Sequence, residues 1–211
     1  FSNFLWMQDL LDQWGGDFQN LVAERALDRG LRDRTERELV LKTNALARLV
    51  GDKIIADVAI IGTDFFEDGG AYGMLFQARS STLLQADLLS QRVERLARKD
   101  GATEAKVNIA GRDVSFLSTP DGSVRSYYVV DGDYHFVTTS KTLARRFLET
   151  QGGQGALGAA KEFRHTRSVM PLQRKDTVFV YLSDPFFRNY TSPAYPTDTS
   201  SRVHALADME L

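Results

Sequence analysis

Hydrophobic residues recur at helical spacing over the first fifty residues and mainly at strand spacing after them. In the N-terminal part, apolar positions three or four apart predict helices that begin near Ser2, Asp17 and Asp33, the last running to Gly51. From Ile54 onward, short apolar or alternating runs separated by Gly- and Asp-containing turns indicate strands. The runs predicted as strands are 58–62, 72–78, 112–118, 124–130, 134–139 and 178–182.

Helices are predicted between these strands at 81–99, capped by Ser80 or Ser81, at 141–150 and around 163–169. Hairpin connections dominate, because Asp-Gly turns separate alternating runs. We therefore predict an α+β fold, with a mainly antiparallel sheet, helices packed on one face and an N-terminal helical segment before it. The long helix between two strands allows one parallel pairing.

This pattern divides the chain into three parts. Residues 1–53 form a helical segment packed on the main domain, residues 54–192 form the sheet domain, and residues 193–211 form a loop and the start of a C-terminal helix. The chain begins with a phenylalanine, and the helical pattern at its end has no stop signal. We expect it to be a piece of a longer protein.

Composition excludes several classes of function. The 211 residues include 26 Lys and Arg against 28 Asp and Glu, a formal net charge of -2, which does not favour nucleic acid as a partner. The absence of cysteine excludes disulfides, thiolate zinc sites and cysteine nucleophiles. The longest apolar run, 54–61, is interrupted by Asp57 and falls short of the ~20 residues that a membrane helix needs, so we expect no membrane insertion.

Motifs for cofactors and metals are weak in this chain. Gly153-Gln-Gly155-Ala-Leu-Gly158 has the letters of a dinucleotide-binding loop, but a predicted helix precedes it where the nucleotide fold needs a strand. The three histidines lack zinc-site spacing, and nucleophile-elbow and P-loop motifs are absent. The sequence predicts no cofactor, no bound metal and no catalytic residue from these motifs.

Carboxylates cluster in two predicted turns. Asp64 and Asp68 follow the first strand, and Asp131, Asp133 and His135 lie in a later hairpin. One hypothesis is a carboxylate-based or divalent-cation-dependent hydrolase, which requires both turns to meet at one cleft. The alternative is that the aspartates bond their own backbone, as turns favour, and that His135 lies on the polar face of a strand.

Aromatic residues near the C-terminal prolines form a candidate interaction surface. Phe186, Phe187 and Tyr190 are difficult to bury within one element. They predict a contact with another protein or with the remainder of a larger polypeptide. Packing within the chain is the alternative.

The order of elements also resembles a known family. The similarity lies in 72–78 with the helix after it, in Tyr128-Val-Val-Asp-Gly-Asp-Tyr-His-Phe-Val-Thr-Thr-Ser140, in Leu157-Gly158 with Glu162-Phe163, and in 178–184. Over residues 55–190 the chain resembles a family of bacterial secreted and envelope proteins described only as a domain of unknown function. The resemblance implies a bacterial envelope or secreted location, favoured over a cytoplasmic one, and implies no catalytic residue.

These observations lead to one principal expectation. The chain is expected to be a non-catalytic structural or protein-interaction domain of a larger bacterial protein, whose partner is the rest of that polypeptide or another protein. The hydrolase above is the rival hypothesis. A third hypothesis, binding of a small ligand between helices and sheet, requires a sizeable apolar pocket. The oligomeric state is left open.

Overall fold

A computed structural model describes residues 2–7, 9, 31–42, 51–64, 71–98, 100–150, 153–171 and 178–184. The longer helices are α1 (Leu31–Leu39), α2 (Ser81–Leu96), α3 (Lys141–Glu149) and α4 (Lys161–Val169), with a 3-10 turn at Leu157–Ala159. Residues 2–7 and 51–54 are also helical. The strands are β1 (Ile55–Asp64), β2 (Ala71–Ala78), β3 (Thr103–Ile109), β4 (Arg112–Ser118), β5 (Arg125–Asp131) and β6 (Tyr134–Thr138).

The strands form one antiparallel sheet in the order β1-β2-β6-β5-β4-β3. The α+β class and the antiparallel sheet are therefore confirmed. β1 and β2 form a hairpin at one edge, and α2 leads from β2 to β3 at the other edge. A meander of hairpins then returns β6 to the side of β2. The parallel pairing that the sequence allowed does not occur among the six described strands.

Two strand predictions were wrong. The edge strand β3 was missed, because Glu104, Lys106 and Asn108 alternate with small or apolar residues in a run that lacks a strong apolar signal. The predicted strand 178–182 is not part of the sheet. Its aromatic rings pack instead against Phe163 of α4, with ring centroids 6.3 Å away for Phe179 and 5.0 Å for Tyr181.

The two main helices cover opposite faces of the sheet, so the expectation of a shared face was wrong. We name these the α2 face and the α3 face. The core on the α2 face contains Met74, Phe76, Ala78, Tyr128 and Val137 with Leu84 and Leu88 of α2. The core on the α3 face contains Ala71, Ile109, Val114, Tyr127, Val129 and Phe136 with Leu143, Ala144 and Leu148 of α3. Consecutive residues of the central strands are buried on alternate sides, so both faces need a cover.

The N-terminal helical segment contributes to the α2 face. Leu39 and Leu41 are buried in the core with Leu84. The helix predicted from Asp33 to Gly51 ends much earlier, since α1 stops at Leu39 and Val40 has a φ of 58°. A β-branched residue in this left-handed conformation ends the helix and is strained. The predicted C-terminal helix, within 193–211, lies outside the described residues.

Candidate functional site

The acidic residues that the sequence singled out lie at opposite ends of the sheet. The backbone of Asp64 pairs with Ala71 at one end of β2. The turn containing Asp131 and Asp133 lies at the other end, where Ala78 N donates to Asp133 O over 2.8 Å. Seven residues of extended strand separate the two ends by about 23 Å. The structure therefore does not bring these carboxylates to one cleft, and Asp68 lies outside the described residues.

Within the hairpin, the aspartates make surface contacts. Asp131 Oδ1 lies 3.3 Å from Arg112 Nη1, which forms an exposed ion pair, and Asp133 is exposed. Gly132 has a φ of 57°, as a tight turn requires. Among the residues that the structure describes, no group of three or more His, Asp or Glu side chains is arranged to hold a metal ion.

His135 is buried, which corrects its predicted place on a polar face. It lies on the α2 face and is 0% exposed, with Phe76 and Val130 as its neighbours across the strands. Its Nε2 is 2.8 Å from Ser81 Oγ, and its Nδ1 is 2.8 Å from the hydroxyl of Tyr128. Ser81 thus contacts the sheet, and Ser80, the N-cap of α2, makes no side-chain capping bond.

The order Ser81–His135–Tyr128 is that of a nucleophile, a base and an orienting group. A catalytic serine must donate its proton to the imidazole. Here Ser81 Oγ also donates to the carbonyl of Gly132 over 3.2 Å. Every polar hydrogen of the three side chains has an acceptor if Tyr128 donates to Nδ1, Nε2–H donates to Ser81 and Ser81 donates to Gly132. In the reverse direction, the hydroxyl proton of Tyr128 has no acceptor in this chain of hydrogen bonds.

Electrostatics favour the neutral forms of these groups. Burial lowers the pKa of His135, and the charge of Asp133 opposes this shift. Burial also raises the pKa of Tyr128, against the charge of Arg92. The three side chains are therefore best described as a neutral clamp that holds the start of α2 on the sheet.

Sequence reasoning missed a second polar cluster on the α2 face, centred on Arg92. This side chain is 3% exposed, and its Nε lies 2.9 Å from Glu104 Oε1. Its Nη1 donates to Ser126 Oγ over 2.9 Å and its Nη2 to Ser115 Oγ over 2.7 Å. Ser126 in turn donates to the carbonyl of Leu39 over 2.8 Å. One guanidinium therefore joins α2 to three strands and, through Ser126, to the end of α1.

The protonation of this pair follows from its contacts. Burial lowers the pKa of Arg92, but the hydrogen bond and charge of Glu104 oppose that shift. Burial would raise the pKa of Glu104, but hydrogen bonds from Ser115 and Arg92 together with the charge of Arg92 outweigh it, and the pKa is lowered. The helix pattern carried a signal for this cluster: Leu84, Leu88 and Arg92 recur every four residues, so Arg92 occupies the buried stripe.

The open space in the described part of the molecule is mostly polar. A groove of about 370 Å³ between α1 and α2 is lined chiefly by charged and amide side chains: Glu36, Arg37, Lys42, Gln91, Arg95 and Arg98. A shallower one of about 280 Å³ lies between α2 and strands β4 and β5. Neither is the apolar pocket that the small-ligand hypothesis requires. The Gly153–Gly158 motif follows α3 and leads into a 3-10 turn, without a preceding strand.

The two edges of the sheet differ in character. A row of side chains crosses the α2 face of the sheet, with each member opposite the next: Ile60, Met74, Val137, Tyr128, Ser115 and Lys106. It ends in a charged residue on β3 and in an isoleucine, 62% exposed, on β1. Charged edges prevent pairing with other strands, whereas long apolar edges promote it.

Comparisons with protein-family models, curated proteins and solved structures found no match for this chain. The candidate surface of Phe186, Phe187 and Tyr190 lies outside the described residues. Within the part that the structure covers, every helix is too short or too polar to span a membrane.

Proposed function

We propose that this chain is a non-catalytic structural and protein-interaction domain, part of a larger bacterial protein, and that the edge of β1 accepts a strand from a partner. The observation that carries this proposal is the uncharged, exposed edge of β1 beside a β3 edge that carries Glu104 and Lys106. The resemblance to bacterial secreted and envelope proteins supports the wider setting.

The polar groups with chemical potential are used inside the fold. Ser81 and His135 belong to the clamp that holds α2, and Arg92 joins that helix to the strands. The acidic turns are separated by the length of β2. These contacts favour a structural role over the rival hydrolase, because catalysis needs such groups to converge on one accessible point.

The β1 edge has a protected beginning and an open middle. A register shift between Ile55 and Asp57 bends its start, where the Asp57 carboxylate accepts from Val58 N over 2.8 Å. Residues 59–62 include no charge and no proline. In the described part of the chain, this strand pairs with β2 on one side alone. An added strand would bond its free backbone groups and cover Ile60.

Charge indicates what kind of strand fits. β1 carries Asp57 and Asp64 near its two ends. Two copies of β1 paired antiparallel would bring like charges close together, which is unfavourable. A partner strand with alternating apolar residues and a basic flank is complementary to this edge. Phe186, Phe187 and Tyr190 stay a predicted part of the interaction surface.

The test compares backbone hydrogen exchange, read by mass spectrometry, in this chain at high dilution and in the intact protein. We expect amides of residues 59–62 to exchange slowly in the intact protein and fast in the dilute chain. An Ile60→Lys variant of the intact protein should exchange fast there, whereas Lys106→Gln, at the other end of the same row, should not. Equal exchange in the chain and the intact protein would overturn the edge as an interaction surface.

The non-catalytic part of the proposal has its own test. Hydrolysis of a p-nitrophenyl ester by the purified chain should not depend on Ser81. Activity that is lost in Ser81→Ala and in His135→Gln, while both variants remain folded by circular dichroism, would establish the rival hydrolase.

A further inference from the structure

We infer that the strand accepted by the β1 edge is residues 178–182 of a second copy of this chain. This inference rests on the proposed function and names the partner. Residues 178–182 read Val-Phe-Val-Tyr-Leu, five consecutive residues of types that favour strands or apolar burial. They lie outside the sheet of their own chain.

The segment has one covered side and one open side. Phe179 and Tyr181 pack on Phe163, and the guanidinium of Arg167 lies 4.4 Å from the centre of the Phe179 ring. The alternate side chains point away from this cluster: Val178, Val180 and Leu182 are 45%, 73% and 50% exposed. An exposed row of three large apolar residues at strand spacing is the surface that an incoming strand presents to a sheet.

The backbone of the segment is available too. Among the described residues, no backbone hydrogen bond joins 178–182 to a strand. The segment therefore offers unpaired N–H and C=O groups, and the β1 edge offers the complementary set. Joining the two adds a strand to the sheet of one copy and covers apolar surface on both partners.

Charge complementarity favours this occupant. In the sequence, Arg174 and Lys175 precede the segment. An antiparallel register that places Ile60 opposite Phe179 also places Asp64 opposite Lys175. The β1 edge of a second copy lacks such a basic flank, so the segment is the better match within this chain.

Because the chain contains no cysteine, engineered pairs report the contact directly. We would combine Ile60→Cys in one preparation with Val180→Cys in another, mix them at micromolar concentration and add a short bismaleimide. A covalent dimer on a denaturing gel is the expected product. Leu157→Cys, equally accessible with 50% exposure, replaces Val180→Cys as the matched control and should give no dimer.

Light scattering on the unmodified chain gives the second arm. We expect a dimer whose association weakens about tenfold or more in Ile60→Lys and in Val180→Lys, since either ammonium would be buried in the contact. Leu157→Lys should not weaken it. Both strand variants start from exposed side chains, so they should remain folded.

Three outcomes would overturn the inference. They are a monomeric wild-type chain, cross-linking no stronger than in the Leu157→Cys control, or a cross-linked monomer when both cysteines are placed in one chain. If hydrogen exchange still shows β1 protected in the intact protein, the proposed function stands and this donor is wrong. If β1 is unprotected there, the edge itself is not the site.

Discussion

The two faces of the sheet are held by different kinds of contact. On the α3 face, the buried side chains of the helix are apolar: Leu143, Ala144 and Leu148. On the α2 face, Leu84 and Leu88 share the interface with the buried Arg92 and with Ser81, which reaches His135. Apolar packing has no preferred direction, whereas hydrogen bonds to a guanidinium or an imidazole have few geometries. The polar contacts therefore fix the position of the longer helix along and across its face.

The largest effect should come from removing the guanidinium of the α2 face. Arg92→Met leaves Ser126 and Glu104 without their partner, and we expect it to lower the free energy of unfolding by about 3 kcal/mol. Arg145→Met, an exposed arginine on α3, is the matched control and should change it by less than about 0.5 kcal/mol. Urea unfolding measures both. Similar values for the two variants would show that the Arg92 contacts are not needed.

A second prediction concerns the tightness of the α3 face. A Cβ added at Gly73 would lie 2.7 Å from the ring of Phe136 and 2.8 Å from Cβ of Thr138. Both neighbours are buried, so Gly73→Ala should lower the free energy of unfolding by about 2 kcal/mol.

Gly62→Ala is the control for this steric effect, because Gly62 also lies in a strand but its nearest neighbour would be Ala71 O at 3.7 Å. It should be neutral or slightly stabilising. Equal losses in the two variants, measured by thermal and urea unfolding, would contradict the clash.

The smallest effect at neutral pH comes from His135. Since the pKa of the folded imidazole is lowered below its ordinary value of 6.5, the unfolded chain binds a proton more readily. The stabilisation is therefore complete above pH 6.5 and is lost as the pH falls below it, by at most about 1.4 kcal/mol per pH unit. His135→Gln keeps a donor and an acceptor but should remove this dependence between pH 6.5 and 5.

His165, which is exposed on α4, provides the control for the pH series. His165→Gln should follow the wild-type stability curve. A His135→Gln curve with the wild-type slope would assign the dependence to other groups. Loss of the carboxylate contacts belongs to lower pH and does not overlap this window, because the pKa values of Asp100 and Glu104 are lowered from ordinary values of 3.8 and 4.5.

The fold could be predicted further than the candidate sites. Asp131-Gly132 between alternating runs indicated the hairpin of β5 and β6, and Ser140 indicated the start of α3, where it accepts from Leu143 N. The edge strand β3 was missed because one of its sides faces solvent and carries charges. The clamp and the Arg92 cluster could not be predicted, since Ser81 and His135 are 54 residues apart and the register alone brings them together.

The local pattern of this sequence was sufficient for the class of fold, most of the strands and the helices that cover them, because apolar spacing, turn residues and caps act over a few neighbouring residues. The tertiary structure decided which helix covers which face, where each carboxylate lies, and which polar residues become buried. These outcomes depend on strand order and register, which join residues far apart in the chain. For the same reason, only the assembled sheet distinguishes its apolar β1 edge from its charged β3 edge.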